Sequence, residues 1–175
     1  MTFGQPHSSL WAITLAAVAV LGTLATACMM PFVAVASIAA ATLPRGQAVI
    51  AVLGAWAANQ LLGFGLLGYP ATGYAIGWGV ALGGASLAVM PLVRWMNDGS
   101  AVRFVTAFVS AFALWEAVLF GFALAAGGVD TFTPAIVLRL FANEALWFAL
   151  LVGLHLIVTR NAPRLFGTSP LVRLG

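Results

Sequence analysis

The chain has 175 residues, of which 63% are hydrophobic and 6% charged, and its mean hydropathy is +1.09; soluble domains carry about 25% charged residues, so this composition belongs in a bilayer. The formal charge of +3 comes from seven arginines and no lysine, too few and too scattered for a nucleic-acid face, and such charges near membrane spans report orientation instead. A lone cysteine, Cys28, excludes an internal disulfide, and no CxxC or Cys/His cluster suggests a structural zinc site.

A straight span needs about 20 apolar residues at about 1.5 Å each, and the helix-breaking residues divide the chain into six candidate helices. The first covers residues 10–28. Its LWAITLAAVAVLGTLATA run imitates a secretory signal, but MTFGQPHSSL contains no Lys or Arg for a positive leader region, so a retained span is expected. Pro31 opens a second segment, 31–43; at about 20 Å it falls short of the roughly 30 Å hydrocarbon core and either spans with help from neighbours or re-enters. LPRG at 43–46 leads to segment 47–68, GYP at 68–70 to 71–94, RWMNDGSAVR at 94–103 to 101–127, and GGVDTFTP at 127–134 to 133–159. Pro, Gly and Asp at these places cannot continue a helix cheaply.

The predicted fold class is therefore an all-α integral membrane protein, a single domain over residues 1–175 formed by a bundle of six transmembrane helices with a short second one, and residues 161–175 form a short cytoplasmic tail. If all six segments cross, Arg45, Arg94, Arg103, Arg160, Arg164 and Arg173 share one side with the N-terminus, and the opposite loops carry only Asp130. That is a positive-inside pattern with both termini cytoplasmic. A five-span reading would move only the uncharged N-terminus. Small residues recur four apart at Ala12 and Ala16, Ala36 and Ala40, Gly73 and Gly77, and Gly79 and Gly83, a spacing that lets helices touch closely, within the chain or against a partner. No repeat of 20 to 50 residues is visible, nor an inverted duplication of the transporter type.

Polar groups within the spans are the informative residues, because a charge at mid-bilayer costs about 2.5 to 3.5 kcal/mol. Asn59 lies about 18 Å up the third helix and Glu116 about 22 Å up the fifth, while Glu144 lies about 15 Å below the outer end of the sixth. These three share a level in the middle to outer half, where Gln60, Trp78, Trp115 and Asn143 can join them. Trp56, Trp78 and Trp115 lie deeper than an interfacial belt and suit stacking on a flat or cationic ligand. The structural alternatives are ordinary: Asn59 and Gln60 can bond a neighbouring helix, and Glu144 can pair with Arg139 on its own helix. Glu116, in ALWEAVLFGF, has no basic residue within a helical turn. No HExxH, GxSxG, DxxD, phosphate loop or Ser/His/Asp set at one depth is present, so an enzyme is not expected, and no cofactor or resident metal is either.

Six short alanine-rich helices, cytoplasmic termini and polar features toward the outer ends resemble the substrate-binding S components of energy-coupling factor vitamin transporters. LGYPATGYAIGW at 67–78 looks like the proline- and glycine-rich outer loop before the fourth helix of biotin-type members, and Ala12 and Ala16 match the small-residue pattern of their first helix. The resemblance implies that Ala12 and Ala16 meet a transmembrane coupling subunit that works with ATPases. It also implies a vitamin held beneath outer loops around Cys28 to Pro31, Tyr69 to Tyr74 and Val129 to Pro134. Solitary cobalamin-binding members include examples with a cysteine ligand to cobalt, a role open to Cys28 alongside that of a small buried hydrophobe; no biotin-site signature and no N-terminal Met-His is present.

The expected function is capture from the outer side, and uptake, of a vitamin-like small molecule of the cobalamin, thiamine or biotin class. The expected location is a bacterial cytoplasmic (inner) membrane. The expected binding residues are Trp56, Asn59, Gln60, Tyr74, Trp78, Trp115, Glu116, Asn143 and Glu144. The alternative is a non-transporting membrane scaffold or assembly subunit whose buried polar residues only lock helices.

Overall fold

The computed structural model describes residues 6–25 and 30–166, and these are mostly helical, with no strand among them. Its elements are α1 (Pro6–Ala25), α2 (Phe32–Thr42), α3 (Arg45–Gln60) running on into a π-helical turn (Leu61–Leu66), α4 (Gly73–Met96), α5 (Ala101–Ala126), a 3-10 turn (Val129–Thr131), α6 (Pro134–Asn161) and the single turn α7 (Pro163–Phe166). Arg45–Leu66, Gly73–Met96, Ala101–Ala126 and Pro134–Asn161 are each long and apolar enough to cross a membrane. They make this an integral membrane protein.

Three of the helix starts follow from local chemistry. The side chains of Thr72, Ser100 and Thr133 each accept a hydrogen bond from the backbone N–H three residues on, at 3.2, 3.3 and 3.3 Å. Such caps satisfy one of the donors that every helix N-terminus leaves over. Between α4 and α5, Asp98 bonds the Ser100 N–H at 3.0 Å and pairs with Arg103 at 2.9 Å, closing the NDGS turn.

The short segment beginning at Pro31 is the centre of the molecule. α2 touches α1, α3, α4, α5 and α6, and every residue from Phe32 to Ala40 is buried. Its sequence FVAVASIAAAT supplies the reason: small side chains let several helices approach one axis. With 11 residues it is only about 16 Å long, so it fills one half of the bundle's depth. Both of its ends are held by side chains from other helices. At the N-terminus, Glu144 of α6 accepts from the Val33 and Ala34 N–H groups at 3.2 and 2.8 Å; at the other end Arg94 of α4 donates to the Leu43 carbonyl at 2.9 Å. A carboxyl group accepting at the start and a guanidinium donating at the end both suit the helix dipole.

Around this centre the long helices interlock through rings and glycines. Phe104, Phe108 and Phe112 lie four residues apart on one face of α5 and meet α6, with Phe108 stacked on Phe148 at 4.2 Å and Phe112 edge-on to Phe141 at 5.1 Å. Trp11 of α1 is buried against His155 at 4.8 Å and donates to Thr42 Oγ1 at 2.8 Å, and Phe166 of α7 meets the same indole edge-on at 6.4 Å. Between α3 and α4, the Trp56 indole N–H donates to the Gly79 carbonyl at 2.6 Å.

That contact requires glycine nearby, since a Cβ added at Gly83 would lie 2.9 Å from Trp56 Nε1 and 3.0 to 3.1 Å from two of its ring carbons. Gly83→Ala is expected to destabilise the folded protein by about 1 to 3 kcal/mol, the usual cost of overpacking. The neighbouring Gly84, where a Cβ meets nothing within 4 Å, provides the control. Melting of the two alanine variants in detergent checks this, and equal melting temperatures would refute it.

Candidate functional site

The half of the bundle that α2 leaves unfilled contains two adjoining cavities. The first, of about 470 Å³, lies where α3 passes through its π turn and the chain enters α4; its walls include Asn59, Gln60, Phe64, Tyr69, Tyr74 and Trp78. The second, of about 250 Å³, includes Met30, Phe32, Asn59, Trp78, Trp115, Glu116 and Phe132. Asn59, Trp78 and Leu82 line both.

Local backbone structure explains why side chains converge here. LLGFGL, residues 61–66, forms a π turn directly after the Asn59-Gln60 pair, with the Leu67 N–H reaching back to the Leu62 carbonyl at 2.8 Å. Single π turns of this kind recur at functional sites. Gly127 and Gly128 end α5 with φ of 96° and 104°, values that residues carrying a Cβ rarely adopt. They bring the chain back against α4, where the Tyr74 hydroxyl donates to the Gly127 carbonyl at 3.3 Å. Trp78 then stands in an aromatic cluster, edge-on to Phe122 at 5.0 Å and stacked on Phe132 at 6.4 Å.

Glu116 is the chemically distinctive group. It is 9% exposed, and neither carboxylate oxygen has a hydrogen-bond partner among the described residues; the buried Trp115 indole N–H has none either. A carboxylate, two amides, an indole donor and aromatic faces thus border adjoining spaces. Such a set can hydrogen-bond the edge of a heterocycle, stack on its face and receive a positive charge. Among the described residues, no three His, Cys, Asp or Glu side chains come together as a metal site.

The nine residues expected at the site divide. Asn59, Gln60, Tyr74 and Trp78 border the first cavity, and Asn59, Trp78, Trp115 and Glu116 the second. Trp56, Asn143 and Glu144 border neither. Trp56 is held by Gly79, and Glu144 serves α2 in place of the pairing with Arg139 that its own helix would allow. Met30, Phe32, Tyr69 and Phe132 are further lining residues, and the Thr-Phe-Thr-Pro turn before α6 was the only local sign of the last. Ala12 and Ala16 are half-buried on α1, with Ala12 against the core, while Leu10, Ile13 and Ala17 are exposed. Cys28 lies outside the described residues.

Fold and site together define an all-helical integral membrane protein with two half-open, mostly apolar cavities bordered by a few polar side chains. Comparison with known proteins finds no matching family model, no similar curated protein and no similar solved structure.

Proposed function

We propose that the protein is a membrane-embedded solute-binding subunit that captures a vitamin-like small molecule from the outer face of a bacterial inner membrane for uptake. The observation that carries this reading is Glu116: a buried carboxylate without a hydrogen-bond partner among the described residues, bordering a cavity it shares with Asn59 and Trp78. Intramembrane ionisable groups are costly, and a ligand that engages the carboxylate offsets that cost. A coupling subunit with ATPases would supply the energy, with the exposed side of α1 as the meeting surface. The scaffold alternative is favoured by Glu144 and Trp56, whose polar atoms do lock helices, but it gives Glu116 no task.

Thermal stability in detergent, screened over a panel of cobalamin, thiamine, biotin and related vitamins, tests the reading. A ligand that binds only the folded state at about one hundred times its Kd adds about 2.7 kcal/mol. A folded protein that no panel member stabilises would leave the scaffold reading standing.

Orientation has its own expected result. With six crossings and the arginine-bearing ends inside, a reporter active only in the cytoplasm works when fused to either terminus. Silence at the N-terminus alone would mean that the first two helices do not both cross.

A further inference from the structure

At the opposite end of the bundle from the proposed binding site, a groove of about 680 Å³ runs between the start of α3 and the end of α4. Arg45 is the first residue of α3 and Arg94 lies in the last turn of α4. The two guanidinium groups border the same groove, near enough for their charges to interact. Among the described residues neither belongs to an ion pair; the pair found is Arg103 with Asp98. Arg94 is held in place by its bond to the Leu43 carbonyl, whereas Arg45 is exposed.

The groove changes character along its length. One turn into the bundle from Arg45 is Val49, and one and two turns in from Arg94 are Met90 and Leu87, all lining residues. Trp95, 81% exposed, borders the charged end. Pro91, inside α4, has no N–H to offer the carbonyl four residues back and interrupts the helix surface there. The order from the helix ends inward is thus two cations, an indole, then apolar side chains, on helices long enough to span the membrane.

We propose that this groove binds one anionic phospholipid, with its phosphate between Arg45 and Arg94 and an acyl chain along Val49, Met90 and Leu87. Charge complementarity selects the headgroup, since two guanidinium groups on one groove repel until an anion enters between them. The apolar floor on the membrane side selects a lipid over a soluble anion. Exposed tryptophan at this level is the residue type that membrane interfaces favour, and basic pockets between transmembrane helices are recurrent headgroup sites.

Native mass spectrometry of the lipid-depleted protein, titrated with phosphatidylglycerol or phosphatidylcholine, tests the assignment. Wild type is expected to prefer phosphatidylglycerol. Arg45→Gln is expected to weaken phosphatidylglycerol binding by about fivefold, the equivalent of about 1 kcal/mol per arginine near an anionic headgroup, whereas Arg45→Lys retains most of it. The Arg45 side chain makes no hydrogen bond among the described residues, so its variants are expected to melt like wild type. Val49→Trp, which obstructs the apolar floor without altering charge, provides the second variant and is expected to weaken binding of both lipids. Arg103→Gln, at the Asp98 pair, leaves the preference intact. No headgroup preference, an Arg45→Gln protein that binds as wild type does, an equal loss in Arg103→Gln, or displacement of the lipid by millimolar inorganic phosphate would each overturn the proposal.

Discussion

Replacing Glu144 by Leu is expected to lower stability by about 2 to 6 kcal/mol, because it strands two buried backbone donors at about 1 to 3 kcal/mol each. The donors are the Val33 and Ala34 N–H groups at the head of a helix buried on all sides, where water cannot readily replace the lost acceptor. Leucine also leaves the positive end of α2 facing an apolar side chain. Glu144→Gln keeps one acceptor oxygen and is expected to lose roughly half as much. Unfolding of both variants in mixed micelles by denaturant measures the order. A Leu variant as stable as wild type would show that the carboxylate does not hold α2.

Glu116 is expected to behave in the opposite way. Among the described residues its oxygens have no hydrogen-bond partner to strand, so Glu116→Leu is expected to leave the ligand-free protein as stable as wild type or more so. Its effect falls on binding: with a cationic ligand, Glu116→Gln and Glu116→Leu should each lose about 2 to 5 kcal/mol of affinity, the range measured when one member of a desolvated charge pair is removed. Melting with and without the best vitamin from the panel separates the outcomes. If the Leu variant melts early yet still binds its ligand normally, Glu116 is a structural residue and the binding reading fails.

These two residues also show what was legible in the sequence. Helix ends were readable because Pro31, LPRG, GYP and GGVDTFTP act locally, and the observed helices begin and end within a few residues of those expected. The short second segment was recognisable as short, yet an Ala-rich apolar run reads the same facing lipid or facing five helices, so its central position was not. Glu116 could be singled out because the missing counter-charge is a property of its own helix. Glu144 could not be separated from it: the groups that bind it lie 110 and 111 residues away. Trp56 shows the same limit, since its depth suggested a ligand while its partner, Gly79, belongs to another helix.

The shortness of α2 has a consequence for how the chain is made. Eleven residues are too few to partition into a bilayer as an independent span, and the acceptor for two of its leading N–H groups is synthesised only when α6 emerges. Until then, the head of α2 must bond to water or to lipid headgroups. Final closure of the bundle is therefore a late event that couples the first quarter of the polypeptide to the last. A nascent chain halted before α6 is expected to leave a cysteine introduced by Ala34→Cys open to a water-soluble thiol reagent, and the completed chain to protect it; protection in both would mean that α2 docks without α6.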